Sequence, residues 1–363
     1  MSTGMTPTFI ACAARSGSTL LRWLIDAHPE VACPSETDVA LMLGSFDRSA
    51  NAMSGPHTTT DWVQSRQAVE GLIETYLAKV SKSLWCDKSL STALNLDFLA
   101  KTWPSARFIF LHRHLMDFIA SALEAQPWGL SDYGFPPYAA QSPGDNVAAL
   151  TRCWLDYTNR MLNFERQATH LSVRVRYEDL VASPVETMGG VWDLLGVDPT
   201  PGPPDAAFTA EHDSFGCADH TIWYTSGVST DSVGKGSRIP FDRIPAILHP
   251  HVNATLAELG YDPLDSSWGA GGEVPSGGTK GSVDVRVVSG HLALRGQVFP
   301  QGFASAVIAV EEAVVDSLIA GTLNIGTAIR TRAVRYYGPT PGSYGEERAL
   351  FAPLPKMLAE MRA

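Results

Sequence analysis

The chain is short of positive charge: 27 lysines and arginines stand against 38 aspartates and glutamates, giving a formal net charge of −11. Binding a nucleic-acid backbone needs a basic stripe and none is visible, so nucleic acid is not an expected partner. Any anionic ligand must be held by a few local basic residues. Cysteine is also scarce. The five, Cys12, Cys33, Cys86, Cys153 and Cys217, are odd in number and scattered, so neither a disulfide framework nor a CxxC metal pair can be drawn. A reducing cytoplasm is the expected setting. The ten histidines form no HExxH and no metal spacing, so no metal is expected. Long apolar runs are missing as well: nowhere do about 18 apolar residues follow one another, and the first segment has no basic leader. Neither a membrane span nor a signal peptide is expected.

What is present is an ordinary globular composition, 45% hydrophobic and 18% charged over 363 residues, long enough for two domains. Residues 266–282 read SSWGAGGEVPSGGTKGS, rich in glycine and serine, which is how a linker looks. It divides the chain into domains 1–265 and 283–363. In the first, strand-like apolar runs alternate with helical patterns, which predicts an α/β fold with a parallel sheet flanked by helices. Phe9 to Ala13 is the first strand, with helical spacing at Leu20, Leu21, Leu24 and Ile25. Phe108 to Leu111 is a second buried strand, followed by a helix with Leu115, Phe118, Ile119 and Ala122 on one face. Val173 to Tyr177 is a third, and Val185, Met188, Trp192 and Leu195 mark the helix after Pro184.

The junction of the first strand and helix reads Ala14-Arg15-Ser16-Gly17-Ser18-Thr19. A strand turning tightly into a helix leaves backbone N–H groups pointing out of the helix start, and with the helix dipole these make an anion site. The phosphate-loop pattern G-x-x-x-x-G-K-[ST] fits badly, because its first glycine falls on Cys12 and its lysine on Ser18. Arg15 instead offers a fixed bidentate charge, and the hydroxyls of Ser16, Ser18 and Thr19 can donate to further oxygens. On these six residues alone, a simple turn that caps a helix is an equal alternative.

The longer context resembles a known family. RSGSTLLRWLIDAHPEVACPSET is similar to the nucleotide-binding segment of sulfotransferases that use 3′-phosphoadenosine 5′-phosphosulfate (PAPS), and within them to the tyrosylprotein and bacterial small-molecule branches. Two further motifs follow in order: LWCDKSLSTALNLDFLAKTWPSARFIFLHRHLMDFIASALEA and VRVRYEDLVASPVETM. The resemblance covers roughly residues 8 to 262 and implies a P-loop-like α/β domain that transfers a sulfuryl group to a hydroxyl and yields adenosine 3′,5′-bisphosphate, with no metal.

The resemblance also implies roles. The Arg15-Ser16-Gly17 turn, with Ser18, Thr19 and Leu20, would grip the 5′-phosphosulfate, while Arg113 and Ser121 would bind the 3′-phosphate. Glu36, in Pro34-Ser35-Glu36-Thr37, matches the tyrosylprotein branch's general base. Lys88, in the Asp87-Lys88 pair, matches the lysine that stabilises the transferring group beside Arg15. Tyr177 lies in the third motif. His28 matches a structural feature of the family, and Asp117 is expected to cap or orient. His212 and His220, in the polar stretch EHDSFGCADHTIWYTSGVSTDSVGKGSRIP, are alternative bases. The same stretch holds Ser229 and Lys235, which loosely match a late nucleotide-binding loop whose spacing departs from the family pattern, leaving Lys235, Arg238 or neither to reach the nucleotide.

For the acceptor, residues 46–69 and 126–146 carry Trp62, Trp128, Tyr133, Phe135 and Tyr138 among glycine, proline and serine, a composition suited to loops over an apolar or aromatic ligand. An acidic protein acceptor would need a basic groove that the chain lacks, so a small hydroxylated metabolite, phenolic or aliphatic, is expected. Val283 to Gly338 shows two strand-like runs, a helical SAVIAVEEAVVDSLIAG and a last strand. That order weakly resembles sterol-carrier-type lipid-binding domains, and it otherwise describes a small α+β appendage that packs on the first domain or makes a homodimer contact. Two other readings stay open: a nucleotide kinase-like phosphotransferase, and a non-catalytic lipid or ligand carrier.

Overall fold

The computed structural model describes residues 5–54, 61–125, 130, 133–167, 171–199, 202–210, 212, 227–269, 284–288, 291–295, 307–323, 327–328, 333–337, 351 and 354–362. Five strands, β1 (Thr8–Cys12), β2 (Val31–Ala32), β3 (Leu84–Lys88), β4 (Arg107–His112) and β5 (Ser172–Arg176), form one sheet in the order β2-β3-β1-β4-β5. Every pairing in it is parallel. Parallel strands buried on both faces read as unbroken apolar runs, which is why β1 and β4 are plain in the sequence. The expected α/β sheet flanked by helices is present. Tyr177, read as the end of a strand, instead opens a helix.

The helices are α1 (Ser18–Asp26), α2 (Val39–Ser54), α3 (Asp61–Val80), α4 (Leu96–Thr102), α5 (Leu115–Ala125), α6 (Pro136–Gln141), α7 (Asn146–Glu165), α8 (Tyr177–Ala182), α9 (Pro184–Leu195) and α10 (His249–Glu258). On α5, Leu115, Phe118, Ile119 and Ala122 are all fully buried, as the helical spacing predicts. On α9 the buried stripe is Met188, Val191, Trp192 and Leu195; Val185, in the first turn, is 71% exposed although its helical spacing places it near that stripe.

The supposed loop at 46–69 is mostly helix. Buried Val39 and Leu43 of α2, and Val69, Ile73 and Leu77 of α3, recur at four-residue intervals, the period of a core-facing stripe. The glycine, serine and proline between the two helices masked that period. In the second segment, Pro136–Gln141 is helical and Phe135 is a core residue rather than a ligand-facing one. The Trp62 side chain and Trp128 lie outside the described residues.

The chain divides into two compact units near residue 275. In the second, β6 (Asp284–Val288), β7 (His291–Arg295), β8 (Val307–Glu311) and β9 (Val334–Tyr337) form an antiparallel sheet in sequential order. Helices α11 (Val315–Ile319) and α12 (Leu354–Arg362) complete an α+β unit whose core includes Ile308, Val310, Leu318 and Leu354. The run SAVIAVEEAVVDSLIAG, read as one helix, splits: its β-branched VIAVE pairs on both edges as β8, and only the later part is helical.

Candidate active site

Parallel pairing lines up the carboxyl ends of the five strands along one edge, and open α/β sheets bind ligands there, at the point where the strand order reverses. The chain leaves β1 for β2, two places away, and after β3 crosses to β4 on the other side of β1. The segments leaving these ends carry most of the expected site residues. Arg15 to Thr19 follow β1, Glu36 follows β2, Lys88 ends β3, Arg113 follows β4, and Tyr177 follows β5.

Arg15 and Gly17 both hold left-handed backbone, at φ 63° and 92°. Gly17 is the N-cap of α1 and carries no capping side chain, so the first N–H groups of that helix point out toward the loop. Gly17 itself is the cap, so the turn that caps a helix is present, and the N–H groups it leaves without a capping side chain remain for a ligand. Ser16, Ser18 and Thr19 are buried and Leu20 is half-buried. The Arg15 guanidinium carbon stands 5.7 Å from the centre of the Tyr133 ring. Beneath the loop, burial pushes the Cys12 thiol up to about 11, so it stays protonated and is no nucleophile.

Arg113 joins three segments. Its Nη1 donates to the Arg15 carbonyl at 2.9 Å, its Nη2 donates to the Ser232 carbonyl at 2.8 Å, and its guanidinium lies 4.4 Å over the Tyr177 ring. Its Nε is buried without a hydrogen-bond partner among the described residues. The Tyr177 hydroxyl pairs with Ser232 Oγ at 2.5 Å, which makes Tyr177 a support behind the loop.

On α5, Asp117, Ser121 and Glu124 recur at helical spacing and so share one face. Asp117 accepts the N–H groups of Gly234 and Gly236 at 2.8 and 2.7 Å, and Glu124 pairs with Lys235 at 3.5 Å and with Arg238. The late loop is thereby laid along the Ser121 face. Gly236 has no alternative there, since a β-carbon would stand 2.2 Å from the Met116 backbone. Ser229 Oγ accepts the Asp231 N–H at 3.1 Å, an internal turn contact.

Lys88 is 1% exposed and its Nζ meets Glu36 Oε1 at 2.5 Å; Glu36 itself is 22% exposed. A buried cation thus faces a carboxylate that solvent or an acceptor can reach. In the β1–β3 register Lys88 stands level with Ile10, two residues before Cys12, which puts the ion pair near the strand end that leads into the Arg15–Thr19 loop.

His212 sits at the opposite end of α1. Its Nδ1 pairs with Asp26 Oδ2 and its Nε2 with the Ala207 carbonyl, both at 2.7 Å, and its ring stacks on Trp23. Asp26 also accepts the Cys33 N–H at 2.8 Å, and Arg22 donates to the Cys33 carbonyl at 3.0 Å. Burial raises the Asp26 carboxyl, but the His212 hydrogen bond, Lys82 and the Cys33 N–H outweigh it and hold the group below its usual range. His28 bonds the Asp198 carbonyl at 3.0 Å, a structural contact. His220 and Cys217 lie outside the described residues.

Asp26, Thr37 and Asp87 also take part, although the sequence assigns them no role. Only the Asp-Lys ending of the apolar run Leu84-Trp85-Cys86 could have flagged Asp87, since charged residues finishing a buried strand need partners.

Residues 7–201, more than half of the chain, match the Sulfotransferase family. The chain belongs to that family. Relatives of this chain include a Caenorhabditis briggsae protein provisionally named a protein-tyrosine sulfotransferase, 28% identical over 52% of the chain. Protein-tyrosine sulfotransferase 1 of Danio rerio is 25% identical over 70% of the chain and 72% of its own length. The nodulation protein NoeE of Sinorhizobium fredii is 29% identical over 55% of the chain. The chain spans 64% of the first relative and 53% of NoeE. Among solved structures, the sulfotransferase domain of the Synechococcus PCC 7002 olefin synthase matches at a TM-score of 0.50 with 20% identity, covering 72% of this chain and 97% of that one. The sulfotransferase domain of the curacin biosynthetic pathway also matches at 0.50, with 17% identity, covering 72% of this chain and all of that one. The two share the fold of the first unit. Among the described residues no helix is long and apolar enough to cross a membrane, and no cluster of three metal-binding side chains stands.

Proposed function

We propose that this sulfotransferase moves a sulfuryl group from PAPS to the hydroxyl of a small acceptor. The carrying observation is the buried Lys88 paired with accessible Glu36 near the strand end that leads into the Arg15–Thr19 loop. The residues fit such a donor: the α1 start and Arg15 suit the 5′ anion, and Arg113, whose buried Nε has no hydrogen-bond partner among the described residues, suits the 3′-phosphate together with Ser121 and Lys235.

In this reading the acceptor oxygen bonds to sulfur while the bond from sulfur to the 5′-phosphate oxygen breaks. Glu36 takes the hydroxyl proton. Lys88 and Arg15 face the oxygens on which charge grows, and a cation buried before the reaction begins needs no reorganisation to do so. No metal is required for any of these steps. The loop hydroxyls and the α1 N–H groups orient the donor, the large contribution of positioning in such displacements.

Two of the three relatives described above are named for protein tyrosine, which keeps a protein acceptor as the second reading. The net charge of −11 disfavours it, since acidic peptides are repelled by an acidic surface. Thermal shift with adenosine 3′,5′-bisphosphate, with ATP, and with each plus magnesium tests the donor. Stabilisation by the bisphosphate, greater than by ATP and indifferent to magnesium, is expected; a preference for magnesium-ATP would favour the kinase-like alternative. Labelled donor offered to small phenols, small alcohols and acidic tyrosine peptides then separates the acceptor readings.

A further inference from the structure

Two consecutive residues at the end of β3 hold two consecutive residues of the loop opposite. Lys88 Nζ meets Glu36 Oε1, and Asp87 Oδ1 accepts the hydroxyl of Thr37. Strand neighbours point to opposite faces, so the loop is clasped on both sides of the strand end.

Asp87 is 1% exposed and is held by hydroxyls. Besides Thr37, Ser89 donates to it at 3.0 Å and Thr92 at 3.4 Å. Ser89 Oγ in turn accepts the Asp38 N–H at 2.8 Å, the Ser91 hydroxyl donates to Asp38 Oδ1 at 2.7 Å, and Ser35 bridges to Lys88. This restraint is matched by strain. Glu36 and Asp38 sit at φ 25° and 49°, conformations that non-glycine residues keep only when their surroundings impose them. Burial also pushes the Asp87 carboxyl up to about 6 against the pull of its hydroxyl donors and Lys88, so an acid at this position is held at a cost in stability.

We propose that Asp87 is a positioning residue: through Thr37 it keeps the Glu36 loop in its strained conformation, with the Glu36 carboxylate facing the acceptor rather than swinging into solvent. This rests on Glu36 being the base. Neither Asp87 nor Thr37 touches the reacting atoms.

The test uses the full chain with labelled PAPS, following adenosine 3′,5′-bisphosphate release with 2-naphthol as acceptor and with water alone, so that a rate is read in every case. Thr37→Val is near-isosteric and removes only the hydroxyl, while Thr37→Ser keeps it. Thr37→Val should lower kcat about 10- to 100-fold, with bisphosphate affinity by calorimetry and melting temperature near wild type. Thr37→Ser should recover most of the rate, and Thr37→Val should cost nothing further in a Glu36→Gln background. Full turnover in Thr37→Val alongside a crippled Glu36→Gln overturns the positioning role and leaves the base in place. Full turnover in Glu36→Gln itself removes the base, and the positioning role with it. A Thr37→Val loss that appears equally in affinity and melting temperature, unrescued by serine, reduces the contact to a structural one and also overturns the proposal.

Discussion

Gly17 and the ring of Tyr177 share a space with no room to spare: a β-carbon built on Gly17 would stand 2.2 Å from Cδ2 and 2.6 Å from Cε2. The same residue holds φ 92°, so shape and backbone both demand glycine. Gly17→Ala should therefore lower stability by about 1–2 kcal/mol from the left-handed strain alone, and by more if the tyrosine must move. It should also abolish nucleotide binding, because the displaced ring is the support of the loop. Thermal unfolding and calorimetry with adenosine 3′,5′-bisphosphate check both. Wild-type affinity in the variant would mean that the loop is not the donor site.

Arg113 is bound to two carbonyls, of Arg15 and Ser232, and so ties loops as well as offering charge. Arg113→Ala should cost on the order of 1.5–3 kcal/mol of adenosine 3′,5′-bisphosphate binding. Adenosine 5′-phosphate, which lacks the 3′ group, should lose much less. Equal losses for the two nucleotides would assign Arg113 to loop tying alone and take the 3′-phosphate away from it.

The contrast between Arg113 and Asp87 shows what the sequence could reveal. Strand β4 carries the unbroken apolar run Phe108–Leu111, with Arg113 just past the strand's end, so both the strand and its site residue stand out. Strand β3 is only five residues and finishes in Asp-Lys, which disguises a buried strand as a surface turn. Its two charges are inside because each meets a residue of the Glu36 loop, a contact between segments about 50 residues apart that no local pattern encodes. Likewise β2 has two residues and no period of its own. In the α2–α3 region the glycine and serine between the helices suggest a loop and mask a four-residue stripe. In the second unit, VIAVE belongs to a sheet only because β7 and β9 lie on either side of it.

Asp87 gives a pH-dependent stability with a definite sign. Its folded carboxyl is raised from 3.8 to about 6 by burial, with Asp38 adding to the rise and Thr37, Ser89 and Lys88 opposing it. The folded protein therefore binds the proton more tightly than the unfolded chain, and stability attributable to this group falls as pH rises from about 4 to about 6. Above that window the cost is constant, on the order of 3 kcal/mol. Asp87→Asn should be as stable as wild type at pH 4 and more stable at pH 7.5, while turnover falls. Denaturant titrations at the two pH values check it, and a variant less stable at pH 7.5 than wild type would contradict the assignment.

The proton acceptor is the central claim, and its most direct measurement is kcat of Glu36→Gln with an alkyl alcohol acceptor and labelled PAPS. Glutamine keeps the size and a hydrogen-bonding oxygen but cannot take the proton, so turnover should drop about 10²–10⁴-fold while bisphosphate affinity holds. The drop should shrink for 4-nitrophenol, whose hydroxyl is already partly ionised near neutral pH. His212→Ala, which removes the partner of Asp26 and the Ala207 carbonyl, should lower the melting temperature and leave kcat within a few-fold of wild type. Wild-type turnover of Glu36→Gln on the alcohol, with activity lost instead in His212→Ala, would contradict the account and place the base at the far end of α1.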